Sequence, residues 1–316
     1  MKGYEELRNR AAWLDLSGRG KIKAIGEDRA RLLHAMTTNH IQQLAPGAGC
    51  YAYFLSAQGR ILADVNVLCR PDYFLLDTEP ETREKLYQHL DKYIIADDVT
   101  LEDLTAQLGT IAVEGPKSAE VLAAMGAPAP EGDNDNTEWG TRLVARLNYS
   151  GSPGFFVFVP AEEKDALIHD LEKAGAMAAD AGAFRVVRLE HGKPRYGEDL
   201  SERYLAQEAN QSRALHFQKG CYLGQEIVER VRSRGQVHRV LMPLHVEAKE
   251  PPEPGTKLQI GEANVAEITS AAYSPALDQV VALGYVRVEE AKPNTEMMVA
   301  ATGVRAKVTE VVGSRL

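Results

Sequence analysis

The chain has 316 residues, of which 44% are hydrophobic and 26% are charged, and its formal net charge is −9. This composition is typical of a globular protein and excludes a fibrous or wholly disordered one. The acidic balance argues against direct nucleic-acid binding, because such proteins normally carry a basic contact surface. A chain of this length favours two or three domains, each with its own apolar core.

The segment from Met1 to Leu16 is charged and lacks the continuous apolar stretch of a secretory signal. No later stretch reaches the length of a membrane span. The three cysteines, Cys50, Cys69 and Cys221, are widely spaced and form no CxxC pair. We therefore expect a cytoplasmic protein that binds no membrane, forms no disulfide framework and holds no metal of its own.

The chain up to residue 240 predicts two α+β units. The first, 1–108, has helical runs at 28–36 and 81–93 and strand-like runs at 51–55, 61–68 and 73–77. The second, 109–240, has a strand at 109–114 that ends in a Gly-Pro turn, a polar loop at 128–138, strands at 142–148 and 155–159, and helices at 162–174 and 183–191. The similar order of elements leaves open an internal duplication or interleaved domains.

After residue 240 the sequence consists of short runs of strand-forming residues separated by proline and glycine. These runs lie at 241–246, 257–260, 263–269, 280–288, 297–300 and 304–312. Many short strands with turn residues between them indicate a small C-terminal β-barrel over 241–316.

Two carboxylates stand in apolar surroundings. Asp64 lies inside the strand-like run 61–68, where a carboxylate is costly to bury unless it is paired or functional. Glu190 ends the helical run 183–191. Taken alone, Asp64 is better explained as a residue on the solvent face of an edge strand, and Glu190 as an ion pair with Arg188 or Arg195.

The segment 219–226 places Cys221 between Lys219 and the start of an amphipathic helix that we expect to begin near Leu223. A nearby cation and a helix N-terminus both favour a thiolate, so Cys221 fits a reactive thiol. A free cysteine is also among the most buried residue types and is usually inert. The residues alone give the two interpretations equal weight.

The stretch from His216 to Arg239 is locally basic in an acidic protein, which fits the binding of a small anion. Pairing of its arginines with carboxylates elsewhere is the alternative. The sequence has no P-loop, HExxH, GxGxxG or GxSxG motif, so nucleotide hydrolysis and serine-hydrolase chemistry have no support.

Several motifs together resemble the glycine-cleavage T-protein superfamily and, within it, the YgfZ-type folate-binding branch. They include residues 108–122, the Arg188-Leu189-Glu190 and Tyr196-Gly197-Glu198-Asp199 segments, and the barrel segments 255–258, 269–270, 273–275 and 283–286. The most specific is Lys219-Gly220-Cys221-Tyr222 with Gly224-Gln225-Glu226, which is similar to the signature of the YgfZ branch.

The resemblance implies a ring of three domains around a central tetrahydrofolate pocket, with Cys221 as a reactive thiol near the folate. It also implies an accessory role in iron-sulfur cluster assembly or repair that indirectly supports tRNA modification, with iron-sulfur assembly proteins or client enzymes as partners. Glu190 matches the residue that pairs with the pterin ring. The residues expected to contact the rest of the folate are Lys219, Tyr222, Arg230, Arg232 and Arg234.

Departures from the T-protein pattern bear on the reaction. T-proteins tend to have two successive acidic residues where this chain has Ala63 and Asp64, and their Tyr-Thr-Gly-Glu turn is replaced by Tyr149-Ser150-Gly151-Ser152. Methylene transfer needs a positioned carboxylate, and Asp64 is the remaining candidate. A tetrahydrofolate-dependent aminomethyltransferase is therefore the second hypothesis, and a non-catalytic folate-binding scaffold is the third.

Overall fold

The computed structural model describes residues 1–235 and 237–310. Its α-helices are α1 (Tyr4–Asn9), α2 (Arg29–Met36), α3 (Arg83–Asp91), α4 (Ser118–Ala124), α5 (Lys164–Lys173), α6 (Ala181–Glu190) and α7 (Gln225–Arg234). Short 3-10 helices occur at Pro80–Thr82, Ala161–Glu163, Ser212–Ala214 and Val288–Glu290.

The strands fall into two open sheets and one closed barrel. They are β1 (Ala12–Asp15), β2 (Gly20–Ile25), β3 (Gly49–Leu55), β4 (Ile61–Cys69), β5 (Tyr73–Thr78), β6 (Thr100–Asp103), β7 (Leu108–Glu114), β8 (Asn136–Trp139), β9 (Arg142–Ala145), β10 (Gly154–Pro160), β11 (Met177–Ala178), β12 (Arg239–Val246), β13 (Lys257–Ile260), β14 (Ala263–Ser274), β15 (Gln279–Arg287), β16 (Glu296–Val299) and β17 (Arg305–Val308). The expected α+β class with a C-terminal β-barrel is confirmed.

The first sheet has the order β3-β4-β5-β2-β6, so β4 is an interior strand. Successive side chains of a strand point to opposite faces, and in β4 this puts Ala63 and Val65 in the core under helices α2 and α3. Asp64 and Asn66 point to the other face. The interpretation of Asp64 as a residue on an edge strand is therefore wrong, because β3 and β5 pair on both sides of it.

The second sheet has the order β11-β1-β7-β10-β9-β8. Its strand β1 comes from the first residues of the chain and pairs with both β7 and β11, so the N-terminal segment crosses into the second unit. Strand β8 (Asn136–Trp139) overlaps the end of the segment 128–138 that was expected to be a loop, and it pairs with β9. The division of the chain at 108 and 240 stays a prediction.

The barrel closes in the order β12-β15-β14-β13-β16-β17 around its own apolar interior. Strand β12 alternates, with Met242 inside the barrel and Leu241 in a core that also contains Tyr53 of the first sheet and Phe156 of the second. This shared core fixes the three units against one another. The expected last strand, 304–312, extends beyond the described residues. Within the described part of the chain, no helix is both long and apolar enough to cross a bilayer.

Candidate functional site

A polar cavity lies between the two sheets, beside their shared core. The first sheet and its loops contribute Arg19, Tyr51, Asp64, Asn66 and Glu79, and the second unit contributes Asn148, Tyr149, Arg188, Lys193, Arg195, Gln211 and Arg213, among other residues. Most of these side chains are charged or hydrogen-bonding groups, so the cavity suits a polar ligand.

Asp64 has the features of a general acid or base. The Tyr51 hydroxyl donates a hydrogen bond of 2.9 Å to Oδ2, whereas the buried Oδ1 has no partner within the described chain. Burial, followed by the nearby Glu79 carboxylate, raises the pKa of Asp64 to about 6. A carboxyl with a pKa close to neutrality and a free oxygen can exchange a proton with a bound ligand.

Two tyrosines of β3 stand beside this carboxylate. The Tyr51 and Tyr53 ring centroids are 5.6 Å apart, and the buried Tyr53 hydroxyl has no partner among the residues described. The Arg213 guanidinium lies 4.6 Å from the centroid of the Tyr51 ring and forms none of the ion pairs found in residues 1–235 and 237–310. Arg213 is thus available to a ligand carboxylate at the cavity wall.

Arg19 and Arg195, two further arginines of the cavity, are fixed by carboxylates. Arg19 forms a two-point pair with Asp77 at 2.9 and 2.8 Å and also contacts Glu79. Arg195 contacts Glu79 at 3.0 Å. Because buried ion pairs of this geometry are costly to break, these residues form a rigid wall.

A second buried pair supports the same wall from the barrel side. Arg188 is 1% exposed and donates to Asp199 at 2.6 Å. The hydroxyls of Thr269 and Ser270 in β14 donate to the other oxygen of Asp199, each at 2.6 Å. The Asp199 carboxylate therefore joins α6 to the barrel.

Lys193 is a cavity residue that sequence reasoning missed. Its amino group donates to the backbone carbonyl of Asn148 and, at 2.6 Å, to the Asn148 side chain. Burial and the nearby Arg213 lower the pKa of Lys193 to about 7. An amine with such a pKa exchanges protons readily near neutrality.

Glu190 is placed away from the cavity. Its carboxylate forms an ion pair with Arg8 and accepts hydrogen bonds from Tyr4 at 2.5 Å and Ser274 at 2.6 Å. These contacts join α1, α6 and β14. The expected ion pair with Arg188 or Arg195 is wrong, because Arg8 is the partner. Pterin binding by Glu190 stays a prediction and would require this cluster to open.

Cys221 is exposed in the loop before α7. The helix begins at Gln225, two residues later than expected, and Gly224 is its N-terminal cap residue. Gly224 has a φ of 83°, and a Cβ there would lie 2.6 Å from the Ser56 carbonyl oxygen, so only glycine fits this close approach to the β3–β4 turn.

Lys219 and Tyr222 are also outside the cavity lining. The buried Lys219 amino group donates at 2.5 Å to each of the carbonyls of His34 and Thr37, where helix α2 ends. It lies 4.7 Å from the centroid of the Tyr222 ring. Burial lowers the pKa of Lys219 to about 7. Lys219 therefore stabilises the end of α2, where backbone carbonyls attract a cation.

The arginines of α7 do not line the cavity. Arg230 and Arg232 are exposed, and Arg232 stacks 4.7 Å from the Phe217 ring centroid and pairs with Glu229 at 3.5 Å. Arg234 ends the helix, and its side chain lies outside the described part of the chain. Of the site residues expected from the sequence, Asp64 lies in the cavity.

The alternation of side chains along β3 could have identified two further residues on the cavity face of the sheet. Tyr51 and Tyr53 alternate with Cys50 and Ala52 along β3, and they share the cavity face with Asp64. The sequence offered no comparable signal for Arg19 or Arg213, because these residues reach the cavity from loops and strand ends. No group of His, Cys, Asp or Glu side chains suited to a metal ion occurs in residues 1–235 and 237–310.

Comparison with known proteins gives a consistent result over nearly all of the chain. The family model described as "GCVT N-terminal domain" matches residues 2–219, and the one described as "Glycine cleavage T-protein C-terminal barrel domain" matches residues 239–313. The aminomethyltransferase of Rubrobacter xylanophilus is 29% identical over 96% of this chain and 83% of its own length. The aminomethyltransferase of Streptomyces coelicolor is 30% identical over 92% of this chain and 82% of its own length.

The same fold occurs in the crystal structure of glycine cleavage system aminomethyltransferase T from Bartonella henselae. That structure has a TM-score of 0.90, with 22% sequence identity, over 98% of this chain and 88% of its own. The two matched domains together cover nearly all of the sequence. The chain therefore belongs to the glycine cleavage T-protein family.

Proposed function

We propose that this protein binds tetrahydrofolate in the central cavity and transfers a one-carbon unit, as an aminomethyltransferase does. The observation that carries the proposal is Asp64, whose carboxylate has one free oxygen and a pKa raised to about 6 inside a polar cavity. The curated relatives of similar length are named aminomethyltransferases, which supports the same reaction class.

The cavity residues fit the chemistry of a folate. When bound, tetrahydrofolate supplies the ring nitrogen that accepts the one-carbon unit. Asp64 would hold or release a proton at that nitrogen, with Tyr51 orienting its carboxylate. Arg213 would bind a carboxylate of the glutamate tail, because no carboxylate of the described chain occupies it. The paired Arg19 and Arg195 would hold the cavity wall in place.

Asp64→Asn tests this proposal directly. We expect wild type to release ammonia from an aminomethylated lipoyl carrier protein in a tetrahydrofolate-dependent manner, and Asp64→Asn to lower kcat about 100-fold or more. Asp72→Asn, which alters an exposed carboxylate in the turn between β4 and β5, is the matched control and should retain the wild-type rate. Absence of turnover by wild type with a competent carrier would contradict the proposal.

A second candidate is the accessory role of the YgfZ-type branch in iron-sulfur cluster assembly. It is favoured by the exposed Cys221 thiol in the Lys219-Gly220-Cys221-Tyr222 segment. In a deletion strain, Cys221→Ser should fail to restore iron-sulfur enzyme activity and should bind tetrahydrofolate with nearly wild-type affinity in calorimetry. Full restoration by Cys221→Ser excludes the thiol role. If wild type shows no saturable folate binding, both candidates are wrong.

A further inference from the structure

Three histidine rings meet beside the Cys221 loop, outside the central cavity. The His34 and His40 ring centroids are 4.5 Å apart, and those of His40 and His216 are 5.2 Å apart. The side-chain atom nearest to a Cβ built on Gly220 is Nε2 of His34, at 3.8 Å. The histidine site, defined as His34, His40, His216 and Lys219, is thus next to the residue that precedes Cys221.

Two nitrogens of this site lack partners. His34 is 8% exposed, and the Nδ1 atoms of His34 and His40 are both buried without a hydrogen-bond partner in the described chain. Nδ1 of His216 accepts a hydrogen bond of 3.3 Å from the Gln218 amide, which leaves its Nε2 as the donor. Buried polar atoms are nearly always satisfied, so unpartnered imidazole nitrogens indicate a missing ligand.

The charges around the site are of one sign. Burial and, after it, Lys219, His40 and His216 together lower the pKa of His34 to about 4. Burial, His216 and Lys219 likewise lower the pKa of His40. The one other titratable group that acts on Lys219 is the Cys50 thiol of β3. Within residues 1–235 and 237–310, no carboxylate is among the groups that act on His34, His40 or Lys219.

A bound metal ion does not explain the arrangement, since no set of ligands in the described chain has metal-binding geometry. An anion does explain it. A carboxylate or phosphate oxygen would accept hydrogen bonds from protonated imidazoles and would supply the missing negative charge.

We propose that the histidine site binds an oxyanion, a carboxylate or phosphate of a small ligand whose other end reaches the Cys221 thiol. Binding is coupled to uptake of a proton from solvent, because the anion stabilises the charged imidazoles. This inference concerns a site separate from the folate cavity and does not depend on folate binding. It gives Cys221 a preference for anionic over neutral reaction partners.

The preference is measured with two alkylating reagents of nearly the same shape. The Cys221 thiolate displaces iodide from iodoacetate or from iodoacetamide, so that a sulfur–carbon bond forms, the carbon–iodine bond breaks, and the thiol proton goes to the buffer. Modification is followed by mass spectrometry of the Cys221 peptide. The peptide mass distinguishes modification of Cys221 from modification of Cys50. Burial raises the pKa of the Cys50 thiol to about 12.

In wild type we expect the rate of Cys221 modification by iodoacetate to saturate. The histidine variant carries both His40→Gln and His216→Gln. The ratio of the iodoacetate rate to the iodoacetamide rate should be about tenfold higher in wild type than in this variant. The iodoacetamide rate should be the same in both proteins. His169→Gln, an exposed histidine on α5, is the control and should keep the wild-type ratio. The ratio should rise as the pH is lowered toward about 4, because burial and neighbouring cations lower the pKa of His34 and His40 and acid supplies the proton that anion binding takes up.

Competition on wild type identifies the anion and does not depend on any variant folding. Inorganic phosphate and glutarate are added separately. An anion that occupies the histidine site should slow the modification of Cys221 by iodoacetate and leave its modification by iodoacetamide unchanged. Protection by phosphate alone or by glutarate alone assigns the ligand class. The proposal is overturned if neither anion protects, or if the rate ratio is the same in wild type and in the histidine variant.

Discussion

The central cavity and the Cys221 loop lie on opposite sides of one strand and differ in how their charges are balanced. In β3, Tyr51 faces the cavity, whereas Cys50 packs on the helix side, where the Lys219 amine acts on its thiol. Cavity arginines such as Arg19 and Arg188 are paired with carboxylates. The histidines and Lys219 near Cys221 have no such partner in the described chain.

This difference separates two kinds of site. The cavity has its own counter-ions, so its shape is set before a ligand arrives, as a site for positioned proton transfer requires. The histidine site has no carboxylate partner among the described residues, so a ligand would supply the negative charge. Because the two sites share β3 but no side chain, variants can alter one and leave the other intact.

The largest expected effect on stability is at the buried ion pair of Arg188 and Asp199, which supports the cavity wall. Arg188→Leu would leave the buried Asp199 carboxylate without its cation, and we expect it to lower the free energy of unfolding by about 3–5 kcal/mol. Arg185→Leu removes a partly exposed pair with Glu198 and should cost about 0–1 kcal/mol. Urea denaturation measures both. Equal losses would show that the Arg188 pair contributes no more than a surface pair.

A smaller effect is expected in the Cys221 loop. Gly224→Ala adds a Cβ 2.6 Å from the Ser56 carbonyl oxygen at a positive φ, and should lower the free energy of unfolding by about 1–3 kcal/mol. Gly235→Ala also has a positive φ but no atom within 4 Å of its Cβ, and should cost about 1 kcal/mol. Thermal denaturation compares the two variants. A greater loss of stability in Gly235→Ala than in Gly224→Ala would contradict the close approach of Gly224 to the Ser56 carbonyl.

The ionised form of the buried Asp64 carboxyl should lower the free energy of unfolding. Its pKa in the folded protein, about 6, is above that of a free carboxyl, so its stabilising protonated form is lost as the pH rises through about 6. Asp64→Asn keeps a neutral side chain and should raise the free energy of unfolding by about 1–2 kcal/mol at about pH 8. No gain should remain near pH 4, where wild type is protonated too. A gain independent of pH would contradict burial of the charge as its cause.

The smallest expected effect is a shift in the pH profile of transfer activity. The acid limb of kcat/KM should lie near pH 6, where Asp64 becomes protonated. The Tyr51 hydrogen bond lowers the pKa of Asp64, so Tyr51→Phe should move this limb to higher pH by less than about one unit. Tyr93→Phe, on an exposed loop, should leave the limb unchanged. A shift to lower pH in Tyr51→Phe would contradict the assigned hydrogen bond.

Much of the fold could be predicted from local patterns. Alternation and turn residues located β3, β4, β5 and the barrel strands to within a few residues, except that β14 continues to Ser274. Strands β1, β2, β6 and β11 were not predicted, and for β1, β6 and β11 the reason is that two to four residues carry too little periodicity. Strand β8 was taken as a loop because its polar sequence gives no strand signal, and its pairing with β9 decides its conformation.

The candidate site was predicted in part. Asp64 was singled out because a carboxylate inside an apolar strand is unusual, and it lies in the cavity. Lys219, Tyr222, Arg230 and Arg232 were expected to contact the folate because of the family resemblance and the anionic tail of folate, and they do not line the cavity. Nearness along the chain does not determine which face of a sheet a loop reaches.

The sequence by itself determined the α+β class, the C-terminal barrel, the position of Asp64 in a strand and the free thiol of Cys221, because these depend on periodicity and on residue type. Only the tertiary structure decided which charges meet. Arg19, Arg188 and Arg195 find their carboxylates through contacts between distant segments, and Glu190 is joined to Arg8 by the packing of α1 on α6. The histidine site likewise exists because the end of α2 and the segment before α7 come together at the edge of one sheet.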